Sequence, residues 1–435
     1  MRMYEERTLT RAVVSATDPK SIAYFIRRWG PFTILSAFFF QVTAATFSSL
    51  GVALPHMISD LGWSWSQAGL GFSMLAFMVG IAAMVPTWLI RKWGVKSTFA
   101  TGGLSLIIGL SLLAVADSLY LYFIGASLAG FGYPLCGMVP SIHYLNSTVR
   151  PIHRSAMIGA YLTVGGLGGV AGPLYVTAIM EAFGEWRYHW WLMVAITVLL
   201  TVLAMLFIDD KDQKANEKTD AEVGKAPERE ADGVYQWKYR DVLRTSQYYV
   251  IVAAMTLTLF CNLTMSSWAV THMNNLGVTG AIAAGALSGH ALINSIARGF
   301  GGALANWIDA KWLLVSALGA EFIGMIALTF ANDPVTIAIF ALCEGYGFGM
   351  CLFATTVLLV NYYGTSSNPE VLGFMHLMTT LAMIGPYAAG SIAEITGDFG
   401  IVFIGYALLL FVSFASSIFM KKPVPPVSAQ DEPSG

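Results

Sequence analysis

The chain has 435 residues, of which 56% are apolar and only 11% are charged. Roughly 244 apolar residues are enough for about twelve membrane spans of ~20 residues each, whereas an ordinary soluble protein is about 25% charged. This composition excludes a soluble enzyme, a nucleic-acid-binding protein and a disordered scaffold. The net charge of −2 identifies no partner, because in a membrane protein the positions of the charges matter more than their sum.

The polar and basic segment 1–29 lacks the short apolar core and cleavage site of a signal peptide, so we expect the first helix to remain in the mature protein. Twelve apolar runs of membrane-crossing length follow. They cover residues 30–54, 67–90, 97–117, 119–145, 155–180, 188–208, 247–272, 281–304, 311–331, 334–362, 371–395 and 399–420. The predicted fold is therefore an all-α membrane protein with twelve transmembrane helices.

Four cysteines lie inside these apolar runs without CxxC or CxxH spacing: Cys136, Cys261, Cys343 and Cys351. Such thiols pack as small apolar groups, and their spacing matches neither a disulfide framework nor a metal site. We expect free thiols, no metal and no cofactor.

The basic residues predict the topology. Of the 24 Lys and Arg, 22 lie in the terminal segments or in turns after even-numbered helices, and only Arg187 lies on the other side. The positive-inside rule then places both termini in the cytoplasm, and we expect the protein in the plasma (inner) membrane. The predicted parts are an N-terminal cytoplasmic segment 1–29, a bundle 30–208, a cytoplasmic linker 209–246, a second bundle 247–420 and a cytoplasmic tail 421–435.

The two halves carry an internal repeat. One constant shift in the numbering, here named the repeat offset, aligns Leu61-Gly62 with Leu276-Gly277, Ser73 with Ser288, Leu89 with Leu304, Lys96 with Lys311, Gly130 with Gly345 and Gly132 with Gly347. A slightly smaller shift aligns Gly172-Pro173 with Gly385-Pro386. Six helices separate the copies, so the repeats are parallel, as in transporters whose halves are related by an axis along the membrane normal. We expect two parallel six-helix repeats around a shared central site.

Several motifs resemble those of a known family. The turn from Thr87 to Lys96 is a degenerate form of the major facilitator superfamily motif GxLaDrxGrr, with Arg91 at the usual Asp position. Within that superfamily the chain resembles the monocarboxylate transporter family and its bacterial relatives. The matching segments are Gly51-Val-Ala-Leu-Pro55 with 61–64, Gly130-Phe-Gly132, Glu185-Trp186-Arg187, 296–302 and Gly385-Pro386.

This resemblance implies the major facilitator fold and proton-linked movement of a small carboxylate by alternating access. In vertebrate-type members an Asp stands four residues before an Arg of helix 8, and a Lys lies in helix 1. Here Asn294 and Ser49 occupy those positions, whereas Arg298 is kept. The chain therefore keeps the anion-binding part of the family pattern but lacks the residues of the usual proton relay.

Arg298 lies about six residues inside the end of the eighth helix. A guanidinium at this depth is costly unless it faces protein, water or an anion, and Arg binds a planar carboxylate through two parallel hydrogen bonds. Asn294 lies one turn away on the same face. We predict that both residues bind the substrate carboxylate. The alternative is a structural arginine that reaches the membrane interface or pairs with Glu344.

Other polar residues lie deep in the spans. The resemblance implies that helices 1, 4, 7 and 10 line the cavity, so Glu344 in the tenth helix is predicted to carry the coupling proton, and Glu321 in the ninth to be structural. His290 is a second proton candidate because histidine titrates near neutral pH. Tyr133 and Tyr346 lie in corresponding glycine-rich stretches and are predicted substrate contacts. Each of these residues could instead serve packing alone.

The sequence is compatible with two transport functions and disfavours a third class, a membrane receptor. A carboxylate symporter driven by H⁺ or Na⁺ accounts for the buried arginine, the repeat and the resemblance. An organic-anion exchanger or extruder of the same fold is the alternative, because Gly168-x-x-x-Gly172-Pro173 matches part of an antiporter motif of helix 5. A receptor would need a signalling domain, which we do not expect from 209–246 or the termini. The expected partners are the carboxylate, the coupling ion and the lipid bilayer, with no nucleic acid, and we expect a monomer.

Overall fold

A computed structural model describes residues 22–149, 151–208, 237–364 and 368–424. Most of the predicted segment 1–29, of the linker 209–246 and of the tail 421–435 lies outside these residues.

The described residues form twelve membrane-length elements, α1 to α12. In the first half, α1 is Ile22–Thr43 and Ser49–Leu61 around a π-helical turn at Ala44–Ser48, α2 is Trp65–Ala82 and Val85–Trp93, α3 is Val95–Ala114, α4 is Leu119–Cys136 and Met138–Thr148, α5 is Pro151–Phe183, and α6 is Arg187–Phe207. In the second half, α7 is Ser246–Asn275, α8 is Gly280–Leu304, α9 is Ala310–Thr329, α10 is Pro334–Tyr363, α11 is Asn368–Thr379 and Gly385–Thr396, and α12 is Gly400–Phe419. A short helix, Tyr239–Val242, precedes α7.

Each predicted apolar run falls on one of these elements, which confirms the all-α, twelve-helix fold. Within the described ranges, eleven helices are long and apolar enough to cross a membrane. The element α11 differs because a 3₁₀ turn at Thr380–Ile384 divides it. The first helix begins at Ile22, earlier than the predicted residue 30.

Local sequence determines several helix ends. Ser64 starts α2 with a capping box: its hydroxyl accepts from the Gln67 amide at 3.3 Å, and the Gln67 side chain accepts from the Ser64 amide at 3.1 Å. Gly62 and Gly277 follow α1 and α7 with φ of 66° and 89°, a backbone conformation that favours glycine. The same turn thus recurs at equivalent positions of the repeat.

The helices before and after the linker, here named the N-half (22–208) and the C-half (237–424), pack in the same pattern. The helix α3 packs on α4 as α9 does on α10, and α2 packs on α4 as α8 does on α10. A Cβ added at Gly130 would lie 2.2 Å from the carbonyl oxygen of Leu75, and one added at Gly345 would lie 2.6 Å from that of His290. Because the repeat offset relates both members of these pairs, the packing shows the predicted parallel repeat.

The halves meet chiefly through α5 with α8, α2 with α11, and α1 with α7. In α11, the segment Gly385–Thr396 packs on α2, whereas Asn368–Thr379 packs on α7 and α10 of its own half. The last part of α2, Val85–Trp93, likewise packs on α3 and α4. The halves are therefore joined toward the side opposite the chain ends, and they diverge toward the side that carries the ends.

Candidate substrate site

Arg298 faces the space between the two halves. Its guanidinium carbon lies 5.3 Å from the ring centroid of Phe348 on α10, and it interacts electrostatically with Tyr133 on α4 of the other half. Although protein surrounds it on these sides, the side chain is exposed. Solvent therefore reaches Arg298 through the gap between the halves.

The guanidinium is oriented but not neutralised. Its Nε atom donates a hydrogen bond to Oδ1 of Asn294 at 2.9 Å. In the described part of the chain, no carboxylate pairs with Arg298, and its two terminal nitrogens donate to no acceptor. The alternative salt bridge with Glu344 is absent there, because Glu344 lies against His290 instead. Asn294 thus holds the guanidinium and leaves its two-nitrogen edge free.

Tyr133 approaches this space from the N-half. Its ring packs edge-on against Phe47 of α1, with 5.9 Å between centroids, and its hydroxyl interacts with the side chain of Thr43. The Thr43 hydroxyl donates its proton to the Phe39 carbonyl oxygen at 2.8 Å. The Thr43 oxygen can therefore accept a hydrogen bond from the Tyr133 hydroxyl. The structure therefore brings Tyr133 and Arg298 to opposite walls of one space.

Phe348 is a residue of this site that the sequence analysis missed. Its ring lies beside the guanidinium of Arg298 and 6.3 Å from the imidazole of His290, centroid to centroid. The repeat carried a signal for it, since the repeat offset relates Tyr133 to Phe348. A cation beside an aromatic ring is stabilised by the ring quadrupole.

Glu344 and His290 form a buried pair between α10 and α8. The Nε2 atom of His290 lies 2.5 Å from Oε2 of Glu344, and the Glu344 side chain has no exposed surface. The contact lies off the direction of a regular hydrogen bond, and Oε1 of Glu344 has no partner among the described residues. The structure thus places both predicted proton carriers in direct contact, next to Phe348.

Glu321 on α9 is equally buried. Its Oε2 atom accepts a hydrogen bond from the Thr258 hydroxyl of α7 at 2.9 Å, whereas Oε1 has no partner in the described ranges. Glu321 also interacts electrostatically with Glu344 across the α9–α10 contact. A second buried acid therefore lies behind the first.

Tyr346 is not brought to this group. Its hydroxyl lies 2.8 Å from the Ser316 hydroxyl of α9, on the side of α10 that contacts α9. The structure thus places the Tyr346 hydroxyl at the α9–α10 contact.

The side opposite the chain ends is closed by contacts between the halves. The Ser73 hydroxyl of α2 accepts from the Tyr387 amide of α11 at 3.1 Å, and the Ser288 hydroxyl of α8 donates to the Val170 carbonyl of α5 at 2.9 Å. Ser73 and Ser288 are related by the repeat offset. Equivalent serines thus join the two halves around the central axis, and the site opens toward the chain ends.

Twelve helices in two similar halves, closed on one side of a central cationic site, define a polytopic membrane transporter. The chain belongs to the Major Facilitator Superfamily, whose profile matches residues 33–381 and 271–434.

Relatives by sequence are distant but extend over most of the chain. The chain is 24% identical over 390 residues to the multidrug resistance protein MdtG of Enterobacter lignolyticus, covering 88% of this chain and 90% of the relative. It is 25% identical over 410 residues to the hexuronate transporter of Bacillus subtilis, covering 86% of this chain and 90% of the relative.

Solved structures support the fold. A nucleoside transporter matches with a TM-score of 0.70 at 13% identity, covering 90% of this chain and 100% of that structure. A peptide transporter matches with a TM-score of 0.67 at 14% identity, covering 90% of this chain and 94% of that structure. These likenesses show the fold; the narrower resemblance to monocarboxylate transporters stays a prediction.

Proposed function

We propose that the protein is a secondary active transporter that binds a small organic carboxylate at Arg298 and couples its movement to protons. The observation that carries this proposal is the free edge of Arg298: it is exposed between the halves and has no carboxylate partner among the described residues. A guanidinium kept in this state inside a membrane protein is suited to an anionic ligand.

A carboxylate fits the remaining geometry. The two terminal nitrogens of Arg298 match the two oxygens of a carboxylate, and each charge-assisted hydrogen bond contributes about 1.5–3 kcal/mol net. Phe348 offers an apolar surface beside the bound group, and Tyr133 offers a phenol from the N-half. A ligand that contacts both halves favours the conformation in which they close around it, and alternating access passes through such a conformation.

The coupling follows from electrostatics. Phe348 contacts both groups: its ring centroid lies 5.3 Å from the guanidinium carbon of Arg298 and 6.3 Å from the centroid of the His290 imidazole, which contacts Glu344. A bound anion raises the proton affinity of nearby groups, and a bound proton favours the anion. Anion and proton therefore stabilise each other, which favours symport. With the basic residues as evidence for orientation, we propose cytoplasmic termini and hence a site that is open to the cytoplasm.

The relatives bear on the substrate in two ways. The hexuronate transporter is named for a sugar that carries a carboxylate, which agrees with an anion at Arg298. The multidrug resistance protein and the Gly168-x-x-x-Gly172-Pro173 motif favour a second candidate, an organic-anion exchanger or extruder of the same fold.

A binding titration on purified protein tests the proposal directly. The probes are glucuronate, lactate and benzoate, each measured on wild type, Arg298→Lys and Arg298→Ala. Losing two charge-assisted bonds corresponds to about 100-fold or more in affinity, so we expect Arg298→Ala to bind none of the three measurably. Arg298→Lys keeps the charge but loses the planar edge, and should bind more weakly than wild type.

The matched control is Arg91→Ala, which removes an exposed arginine in the last turn of α2 and should bind as wild type does. Near wild-type affinity of Arg298→Ala for a transported carboxylate would refute the role of Arg298. Uptake into vesicles separates the two candidates: a symporter follows an imposed proton gradient, whereas an exchanger requires an anion on the far side.

A further inference from the structure

The two buried acids of the C-half, Glu344 and Glu321, occupy positions that are apolar in the N-half. The repeat offset relates Glu344 to Ala129 and Glu321 to Leu106. It also relates His290 to Leu75. Three titratable side chains of one half therefore stand where the other half has apolar ones.

The backbone around these positions packs alike in both halves. A Cβ added at Gly109 would lie 2.6 Å from the Ala129 amide nitrogen, and one added at Gly324 would lie 2.8 Å from that of Glu344. Gly109 and Gly324 are themselves related by the repeat offset. The close contact of α3 with α4 thus forms without a carboxyl, so the equivalent contact of α9 with α10 does not need one.

The neighbouring glycine pair repeats the observation. A Cβ added at Gly132 would lie 3.0 Å from the Leu106 amide nitrogen, and one added at Gly347 would lie 2.9 Å from that of Glu321. Gly324 thus faces Glu344, and Gly347 faces Glu321. The two acids thus extend from the same narrow α9–α10 contact, and both interact electrostatically with the Cys261 thiol of α7.

The groups that face these carboxyls cannot neutralise two negative charges. The helix α7 contributes the Thr258 hydroxyl and the Cys261 thiol, α8 contributes His290, and α10 contributes Cys351. From α12, Tyr406 lies near Cys261. Among the described residues, no Lys or Arg pairs with either acid.

Electrostatics then limits the ionisation of the pair. Even with His290 protonated, two ionised carboxylates would leave an uncompensated negative charge in a region without solvent, and like charges so placed do not both ionise. The donors are also too few, because one oxygen of Glu321 and both oxygens of Glu344 lack a hydrogen-bond partner in the part of the chain that the structure describes. A carboxyl that keeps its proton removes both problems.

We propose that Glu321 and Glu344 together form a proton-binding site that retains one proton between them, and that His290 links this site to the Arg298 cavity. Glu321, for which the sequence analysis predicts a structural role, therefore has a functional one. The claim that this site couples protons to transport rests on the proposed function. The claim that the site binds a proton does not.

Infrared difference spectroscopy on the purified full-length protein in lipid tests the site without any substrate. The signal is the carbonyl stretch of protonated carboxylic acids, followed while the pH is raised. The variants are Glu321→Gln, Glu344→Gln and the double variant, each of nearly unchanged volume. Glu321→Leu, which installs the N-half residue, checks that the contact still folds. Glu181→Gln removes an exposed acid and is the control.

We expect wild type and the control to keep one carboxylic acid band at neutral pH, and the double variant to lose it. If the two carboxyls share one proton, neither keeps it as firmly alone, so the band should be weaker in Glu321→Gln and in Glu344→Gln than in wild type. Absence of the band from wild type, or a band of wild-type strength in either single variant, would overturn the inference. Failure of all carboxylates to bind would instead refute the proposed function and leave the proton site standing.

Discussion

Gly51 is the point at which the closed side of the transporter leaves least room. It lies where α1 crosses α7, and a Cβ added there would lie 1.7 Å from the carbonyl oxygen of Ser266. The repeat offset relates Gly51 to Ser266, so equivalent positions of the two halves touch each other. Real Cβ contacts below 3.0 Å are essentially absent, so the two helices must move apart to admit one methyl group. We therefore predict that Gly51→Ala opposes the closed arrangement.

The size of the effect follows from overpacking. Forcing a methyl group into a tight contact costs typically about 1–3 kcal/mol, and this cost falls only on the state in which α1 and α7 are in contact. The ratio of closed to open molecules on this side should therefore fall about 5- to 150-fold. Gly285→Ala is the matched control, because a Cβ added at Gly285 on α8 meets nothing within 4 Å.

Thiol labelling from the side opposite the chain ends measures the shift. Val270 is 2% exposed and, with Val52 and His56, lines a cavity of about 210 Å³ on that side, so a cysteine there reports opening. Val270→Cys should react slowly with a membrane-impermeant maleimide, and faster when Gly51→Ala is added. The protein without Val270→Cys gives the background from the native cysteines. If Gly51→Ala folds and inserts normally yet leaves the labelling rate unchanged, the reasoning about this contact is wrong.

Two further predictions concern coupling and topology. Glu344→Gln should leave exchange of substrate between the two sides largely intact while abolishing accumulation driven by a pH gradient; gradient-driven uptake at the wild-type rate would remove Glu344 from the coupling. Cysteines introduced in 209–246 should react only from the cytoplasmic side, and those in 272–280 only from the other; reaction of the linker from outside intact cells would contradict the orientation.

The sequence alone was sufficient where the cause is local. The length of an apolar run determines whether it can cross a membrane, so all twelve elements were located. A glycine of positive φ ends a helix through its own backbone freedom, as at Gly62 and Gly277. The one-turn spacing of Asn294 and Arg298 places them on one face, and they are hydrogen-bonded in the structure.

Where the cause is contact between helices, the sequence left the outcome open. The break in α11 and the early start of α1 were not predicted. Tyr133 and Tyr346 were equally good candidates, yet one faces the cavity while the other bonds to Ser316 of α9, because the rotation of each helix about its axis depends on its neighbours. Phe348 was overlooked for the same reason.

The buried acids show this division most clearly. Composition and position marked Glu344 and Glu321 as unusual, and the resemblance separated them into a proton carrier and a structural residue. Only the packing of α8, α9 and α10 places His290 2.5 Å from Glu344 and sets Glu321 and Glu344 across one glycine-lined contact. An ionisable residue in an apolar helix can be recognised from the sequence, because the free-energy cost of burying it depends on the apolar run around it. The group that pairs with it cannot be recognised in this way, because tertiary packing decides which side chains share the same low-dielectric space.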